Sequence, residues 1–531
     1  MRVQFEGLKY HCQPLKYFDI ISQIVYKKAD CKSLYLLPVF PYHIVADNDV
    51  ERIFIMNNII KLLSLEDPSV TITDVSITNN IKTITVKKNL QPVFCPCCGC
   101  RMHSRGVKTR TVNHPVLQDG YSLILKVRQR RWKCPSCKLD IADDFKFLQK
   151  YRQSTNTTDL LILQDMRNLS LSVRYIAEKF NVSDTYVHQT FDRYVDMKRL
   201  PLSEALCIDE VHTQTISYSK YSMVILDFVS GEPVDILPSR QQRDTRGYFL
   251  SIPLSEREHV KYLVTDMYNP YLAFAGTYFA NAICAIDSYH VVQWLLNKIN
   301  SFLISLCRKY EERDRLHIIK MEQENRPLKK GWKSDEVYLL KRHKWIMLKN
   351  QNNIDYTSKS RMDRHFGFYM DTYSYEERFF RIDPALKPMR NLKEKYIDFN
   401  NRYSGNPVEA QKALDRLIAD YQSCPFPLFS EFSQLLLKYR QEIINSFIAV
   451  RFYGMEDDTQ CYKRLSSGII ESFNRKPKDM KRNSRGFRNF SHFRNRLLFA
   501  TRKEAPLLGS PKTKEEILNK TGSKRGPYKK K

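Results

Sequence analysis

The chain has 531 residues, 42% hydrophobic and 12% aromatic, with 86 Lys+Arg against 58 Asp+Glu and a formal net charge of +28. That apolar content can build several cores and excludes global disorder, while so large a positive excess calls for a polyanionic partner. The longest apolar stretches, residues 33–45 and 221–229, are short or broken by Pro or Asp, which excludes membrane-spanning helices, and the opening MRVQFEGLKYHCQPL lacks a secretion signal, so a cytoplasmic protein on nucleic acid is expected.

Residues 1–55 show no clear periodicity, and from Met56 to residue 92 the text reads as a short helix followed by alternating strand-like segments. Met56 is a candidate initiator, which would leave residues 1–55 as an uncertain N-terminal extension. Of the thirteen cysteines, six crowd into residues 95–137. Cys95 with Cys98 and Cys134 with Cys137 form two C-x-x-C knuckles, which place four thiolates around one tetrahedral Zn²⁺ in a finger spanning residues 93–150. Cys97 and Cys100 as the first pair, or a metal-free cluster, remain open alternatives. Between the pairs, Asp119-Gly120 signals a hairpin turn. Leu123, Leu125 and Val127 then alternate with Lys126, Arg128 and Arg130, predicting a packed face and a basic, DNA-facing one.

Residues 151–200 carry two blocks of helical spacing with Ser172 and Ser183 at the N-cap positions and a short break at Asn181-Val182. A helix-turn-helix fits, with Thr185, Tyr186 and Gln189 as base readers, and a plain helical hairpin is the bland alternative. From residue 206 the period shortens to that of strands. ALCIDEVH, YSMVILDFV, PVDILPS, VKYLVTD and NAICAID read as strands, with Ser230-Gly231 turning the second into the third. Helices are predicted over 246–258, 270–280 and from Tyr289 onward. This order fits an RNase H-like α/β catalytic core over residues 201–310 and 461–502, interrupted by a helical insertion over 311–460 and followed by a basic tail over 503–531 that would be disordered in isolation. Within that tail, Arg525-Gly526-Pro527 reads as nonspecific phosphate binding.

Asp209 and Asp266 end two apolar strands, where an acid is costly unless something uses it, and Glu471 sits among apolar neighbours in a stretch, 463–496, holding eleven Lys+Arg and two acids. Brought together, the three would be neutralised by divalent cations, and Mg²⁺ suits an all-oxygen donor set that could activate water or a DNA 3′-hydroxyl. Arg475, Lys478, Lys481, Arg482 and Arg485 would hold phosphates nearby. Asp287, with His290 three residues on, stands either as a fourth member or as a structural pair. Pro477, one turn past Glu471, predicts a kink or stop in that helix.

These residues resemble bacterial insertion-sequence transposases of the ISL-three type over about residues 56–500. The resemblance rests on the Cys95–Gly99 knuckle with CPSC at 134–137, the helix-turn-helix, IDE at 208–210, TDMYNPY at 265–271, IDSYHVV at 286–292 and, most specifically, GIIESFNRKPKDMKRNSRGFRNFSHFRNR at 468–496. It implies a DDE recombinase whose triad is Asp209, Asp266 and Glu471, with catalytic Mg²⁺ and structural Zn²⁺. It further implies double-stranded DNA partners at the element ends and target, a homo-oligomer in the DNA complex, and a place on the bacterial nucleoid. A catalytically inactive DNA-binding regulator and a structure-specific nuclease are the competing readings.

Overall fold

A computed structural model describes residues 67–115, 122–150, 152–453, 461–487 and 489–513, together with Leu63, Leu65, Glu516 and Ile517. The expectations for residues 1–55, Met56 and its short helix, the Asp119-Gly120 turn and most of the tail beyond residue 513 lie outside the described residues.

The first sheet is made of β1 (Val70–Thr78), β2 (Ile81–Lys88), β3 (His103–His114), β4 (Ser122–Lys133) and β5 (Asp140–Ala142), in the order β1-β2-β4-β3 with β5 paired to β4. Asn79 and Asn80, both at positive φ, make the two-residue turn between β1 and β2. The alternation in β4 puts Leu123, Leu125 and Val127 in the core, while Lys126 and Arg128 are exposed.

Three helices follow, α1 (Asn156–Met166), α2 (Val173–Lys179) and α3 (Asp184–Tyr194). Ser172 and Ser183 cap α2 and α3, each hydroxyl accepting from the backbone N–H three residues on, at 3.1 Å. Such caps are worth about 1 kcal/mol each. The apolar positions Ile162, Ile176, Val187 and Phe191 are buried in one cluster with residues of the second sheet and of the C-terminal helices.

That second sheet, built of β6 (Ala205–His212), β7 (Tyr221–Asp227), β8 (Pro233–Leu237), β9 (Tyr262–Thr265) and β10 (Ile283–Ile286), runs β10-β9-β6-β7-β8. Strands β6, β7 and β8 are antiparallel, and β9 and β10 lie parallel to β6. This mixed α/β order is consistent with an RNase H-like transposase domain. Gly231, at φ +74°, makes the turn from β7 to β8. Two helices, α4 (Gln242–Leu250) and α5 (Leu254–Glu258), replace the single one predicted over 246–258. Pro253 separates them, since it has no N–H to continue a helical ladder. Helix α6 (Asn269–Tyr278) connects β9 to β10.

Helix α7 (Ser288–Gln323) is continuous for 36 residues, so it starts at the sheet and runs on past the expected insertion boundary at residue 310. Beyond it come α8 (Asp335–Arg342), α9 (Trp345–Leu348), the hairpin β11 (Arg361–Asp363) and β12 (Phe368–Met370), α10 (Thr372–Arg381), α11 (Leu386–Arg402), α12 (Pro407–Ser423), α13 (Pro427–Lys438) and α14 (Arg440–Asn445). Leu295 and Ile299 of α7 bury against Tyr396, Tyr421, Phe429 and Phe432 in the core of this region. Asn445 returns to the sheet, donating from Nδ2 to the Cys284 carbonyl at 2.7 Å.

The antiparallel pair β13 (Ala449–Phe452) and β14 (Cys461–Arg464) leads to α15 (Gly468–Asn483) and α16 (Phe490–Thr501). The kink or stop expected at Pro477 does not end α15, which runs through it to Asn483. Phe473 and Met480, buried on either side of the proline, anchor both flanks to the core. The first ten residues of the tail lie against the end of α3. Leu508 donates its N–H to the Tyr194 carbonyl and Lys512 its N–H to that of Arg193, both at 2.9 Å.

Candidate catalytic site

Strand register brings three aspartates to one level. Cys207 of β6 pairs with Val264 of β9, and Ile286 of β10 pairs with Thr265. Carried past the paired residues, this register sets Asp209, Asp266 and Asp287 side by side on adjacent strands. Cys207, Val264 and Ala285 share the buried face that α15 covers. Residues two further along a strand point the same way, so all three carboxylates face that helix.

Helix α15 supplies the rest of the site. Asn474, buried and one turn beyond Glu471, donates from Nδ2 to Asp209 Oδ2 at 2.7 Å. Ser467, just before the helix, donates its N–H to Asp287 Oδ1 at 3.0 Å and its hydroxyl to Glu471 Oε1 at 3.3 Å. Asp287 is only 2% exposed, and its Oδ2 is buried with no hydrogen-bond partner among the described residues. Ligand atoms of Asp287, His290 and Glu471 all lie within 4.8 Å of one another.

Burial raises the Asp209 carboxyl to about 6, with the Asp266 charge adding to it. Burial also raises Asp266, against the pull of His290 and of the Tyr268 N–H it accepts. Carboxylates crowded in this way are relieved by cations, and the oxygen-rich set with one imidazole and one orphaned buried oxygen fits a divalent ion. On the opposite face of β6, Glu210 accepts from Arg240 at 2.6 Å and from the Tyr271 hydroxyl at 2.7 Å. The Arg240 guanidinium lies 4.3 Å from the centre of the Tyr268 ring.

The cysteines form a second cluster. Sulfur separations are 3.4 Å for Cys95–Cys137, 3.4 Å for Cys98–Cys134 and 3.7 Å for Cys98–Cys137. These are far beyond a disulfide bond and close to the roughly 3.8 Å edge of a tetrahedron with Zn–S bonds of about 2.3 Å. Each knuckle closes on its own backbone, Cys95 N–H to Cys100 O at 2.8 Å and Cys134 N–H to Leu139 O at 2.9 Å. Gly99 (φ +71°) and Lys138 (φ +63°) make the tight bends. Cys98 is drawn down to about 6, first by the Cys100 N–H and then by Cys134. The set that converges is Cys95, Cys98, Cys134 and Cys137, while Cys97 and Cys100 are exposed beside it. The cluster fits a zinc finger.

A family of transposases, of the DDE type and ISL3 (ISL-three) class, matches residues 206–497, more than half of the chain. The chain belongs to this transposase family. The transposase for insertion sequence element IS1001 of Bordetella parapertussis is 21% identical over 426 residues, covering 77% of this chain and 89% of the relative. This transposase is therefore an enzyme acting on DNA, of a type that uses divalent metal ions. The matched span runs from β6 to α16 and includes every carboxylate described above. No helix among the described residues is long and apolar enough to cross a membrane.

The predicted DNA-contacting residues of the transposase are distributed unevenly. Thr185 and Gln189 are exposed and line a groove of about 850 Å³ between α3 and the loop after α15, which Arg485 also lines. Tyr186 turns inward instead, donating its hydroxyl to buried Asp159 at 2.7 Å, with the Arg152 guanidinium 4.8 Å from its ring centre. Arg475, Lys478, Arg482 and Arg485 are exposed, although Arg482 pairs with Asp479 at 3.0 Å. Lys481 meets His212 Nδ1 at 3.1 Å. Arg128 is exposed and Arg130 half-buried, its guanidinium 5.6 Å from the Trp132 ring centre.

Sequence reasoning missed Asn474 and Ser467. The available signal was their spacing from Glu471, three residues after and four before, which places all three on one side of a helix.

Proposed function

We propose that the transposase cleaves DNA at the ends of its own element and joins the freed strands to a target, at a site formed by Asp209, Asp266 and Glu471 in an RNase H-like core. The observation that carries this reading is the common level of Asp209 and Asp266 on the sheet face met by the helix of Glu471. When bound there, divalent ions such as Mg²⁺ supply Lewis-acid activation of a water or 3′-hydroxyl and stabilise the leaving oxygen. The chain's own part is positional. Asn474 holds the Asp209 carboxylate, Ser467 orients Glu471, and exposed Arg475, Lys478, Arg482 and Arg485 offer phosphate contacts along α15 and the loop after it.

In the same reading the terminal inverted repeats are gripped by the finger, with Zn²⁺ held by Cys95, Cys98, Cys134 and Cys137, and by α2 and α3 acting as a helix-turn-helix. Thr185 and Gln189 reach bases, Arg128 and Arg130 reach phosphates, and Tyr186 braces α3 from within.

The test is purified protein with Mg²⁺ and DNA bearing the element's ends. Asp209→Ala, Asp266→Ala and Glu471→Ala should each abolish nicking and strand transfer while leaving end binding intact. Cleavage retained in all three overturns the assignment, and hydrolysis without joined products would make the enzyme a nuclease.

A further inference from the structure

We propose that Asp287, His290 and Glu471 form a second divalent-cation position beside Asp209 and Asp266, with an O,N,O donor set that takes Mn²⁺ in preference to Mg²⁺. The inference rests on the catalytic reading above and deepens it, because it adds two ligands from outside the acidic triad.

Asp287 sits at the N-cap of α7, yet its side chain makes no cap hydrogen bond to that helix. One oxygen instead takes the Ser467 N–H, and the other is buried with no partner among the described residues. A buried carboxylate oxygen left without a donor is costly, and the deficit disappears if a cation sits against it. His290 lies one turn along α7, on the same side as Asp287, and Glu471 lies in the first turn of α15. Their ligand atoms fall within 4.8 Å of one another, about the span of donors placed around one ion at bonds of roughly 2.1–2.3 Å.

The strand register adds a second constraint. Asp287 is level with Asp266 on the neighbouring strand, and neighbouring strands lie about 4.8 Å apart. An ion held by Asp287, His290 and Glu471 would therefore neighbour one held by Asp209 and Asp266 at the same end of the sheet, as a two-ion site requires. The imidazole decides selectivity. Mg²⁺ favours oxygen and water, whereas nitrogen donors suit first-row transition ions.

The experiment is Mn²⁺ titration of the full-length, zinc-loaded chain, with free Mn²⁺ read by EPR, Mg²⁺ as competitor, and pulsed EPR to detect directly bound ¹⁴N. The wild type should bind two Mn²⁺ per chain and show a nitrogen coupling. His290→Gln should lose the coupling and weaken one position on the order of 10- to 100-fold or more. Asp287→Asn, which keeps an acceptor for the Ser467 N–H, should lose the same position while its melting midpoint stays near that of the wild type. Asp209→Asn should weaken the other position and leave the nitrogen coupling intact. If Asp209→Asn reduces binding but both Asp287→Asn and His290→Gln keep two sites, the inference fails and the catalytic reading stands. If the wild type binds no Mn²⁺, both fall.

Discussion

In the cysteine cluster, four sulfurs are held by two knuckles that each close within six residues. In the carboxylate site, by contrast, a single hydrogen bond joins Asp209 to Asn474, 265 positions away. The first arrangement is local in its parts, and a hairpin needs only to bring two preformed pieces together. The second exists only once the sheet register and the packing of α15 are in place. Their energetics differ accordingly. Thiolates around zinc contribute folding free energy through the metal, whereas crowded carboxylates oppose folding until cations neutralise them.

The sharpest break of this comparison is Cys98→Ser combined with Cys134→Ser. Structural zinc contributes about 10 kcal/mol or more in isolated fingers at neutral pH. The double variant should lose one zinc per chain by metal analysis and become protease-sensitive across residues 93–150, while the span 206–497 stays folded. A wild type without zinc would remove the metal from the account.

A smaller effect is expected at the other cluster, with the opposite sign. The Asp209 carboxyl is raised from 3.8 to about 6 in the folded chain. Between those values the folded state keeps a proton that the unfolded state has lost. The associated stability is thus complete below pH 3.8 and declines as pH rises through 6, by about 2–3 kcal/mol. With divalent metal stripped, Asp209→Asn should flatten this slope and melt higher than the wild type at pH 7. A lower midpoint for the variant would show that the carboxylate stabilises the fold.

The smallest effect is that of Asn474→Ala, which removes one hydrogen bond to Asp209. A stability change of about 1 kcal/mol and roughly tenfold slower cleavage are expected, since the aspartate stays in place but loses its orientation. Unchanged cleavage would reduce Asn474 to a packing residue.

The basic C-terminal stretch shows where sequence reading stopped. Arg475 and Lys478 are exposed, whereas other cations of the same text are structural. Arg494 pairs with buried Asp235 at 2.6 Å. Arg496, 1% exposed, donates to the Leu171 carbonyl at 2.5 Å, and Arg502 donates to the carbonyls of Lys198, Pro233 and Val234. Composition cannot separate the two roles, because a guanidinium serves equally well for a phosphate or for three carbonyls. Tyr186 gives the same lesson on α3, where the partner that claims its hydroxyl, Asp159, belongs to another helix.

By itself the sequence determined what depends on a few consecutive residues. The C-x-x-C spacing, the serine caps of α2 and α3, the apolar alternation of β4 and the acids within β6 and just after β9 are all of this kind, although β6 runs on past Asp209 to His212. Only the tertiary structure decided that Asp287 shares a level with Asp266, that Asn474 meets Asp209, and that the residues just after α16 lie against α3. Those outcomes follow from register between parallel strands and from which face of a helix is buried, and both are settled by contacts between residues far apart in the chain.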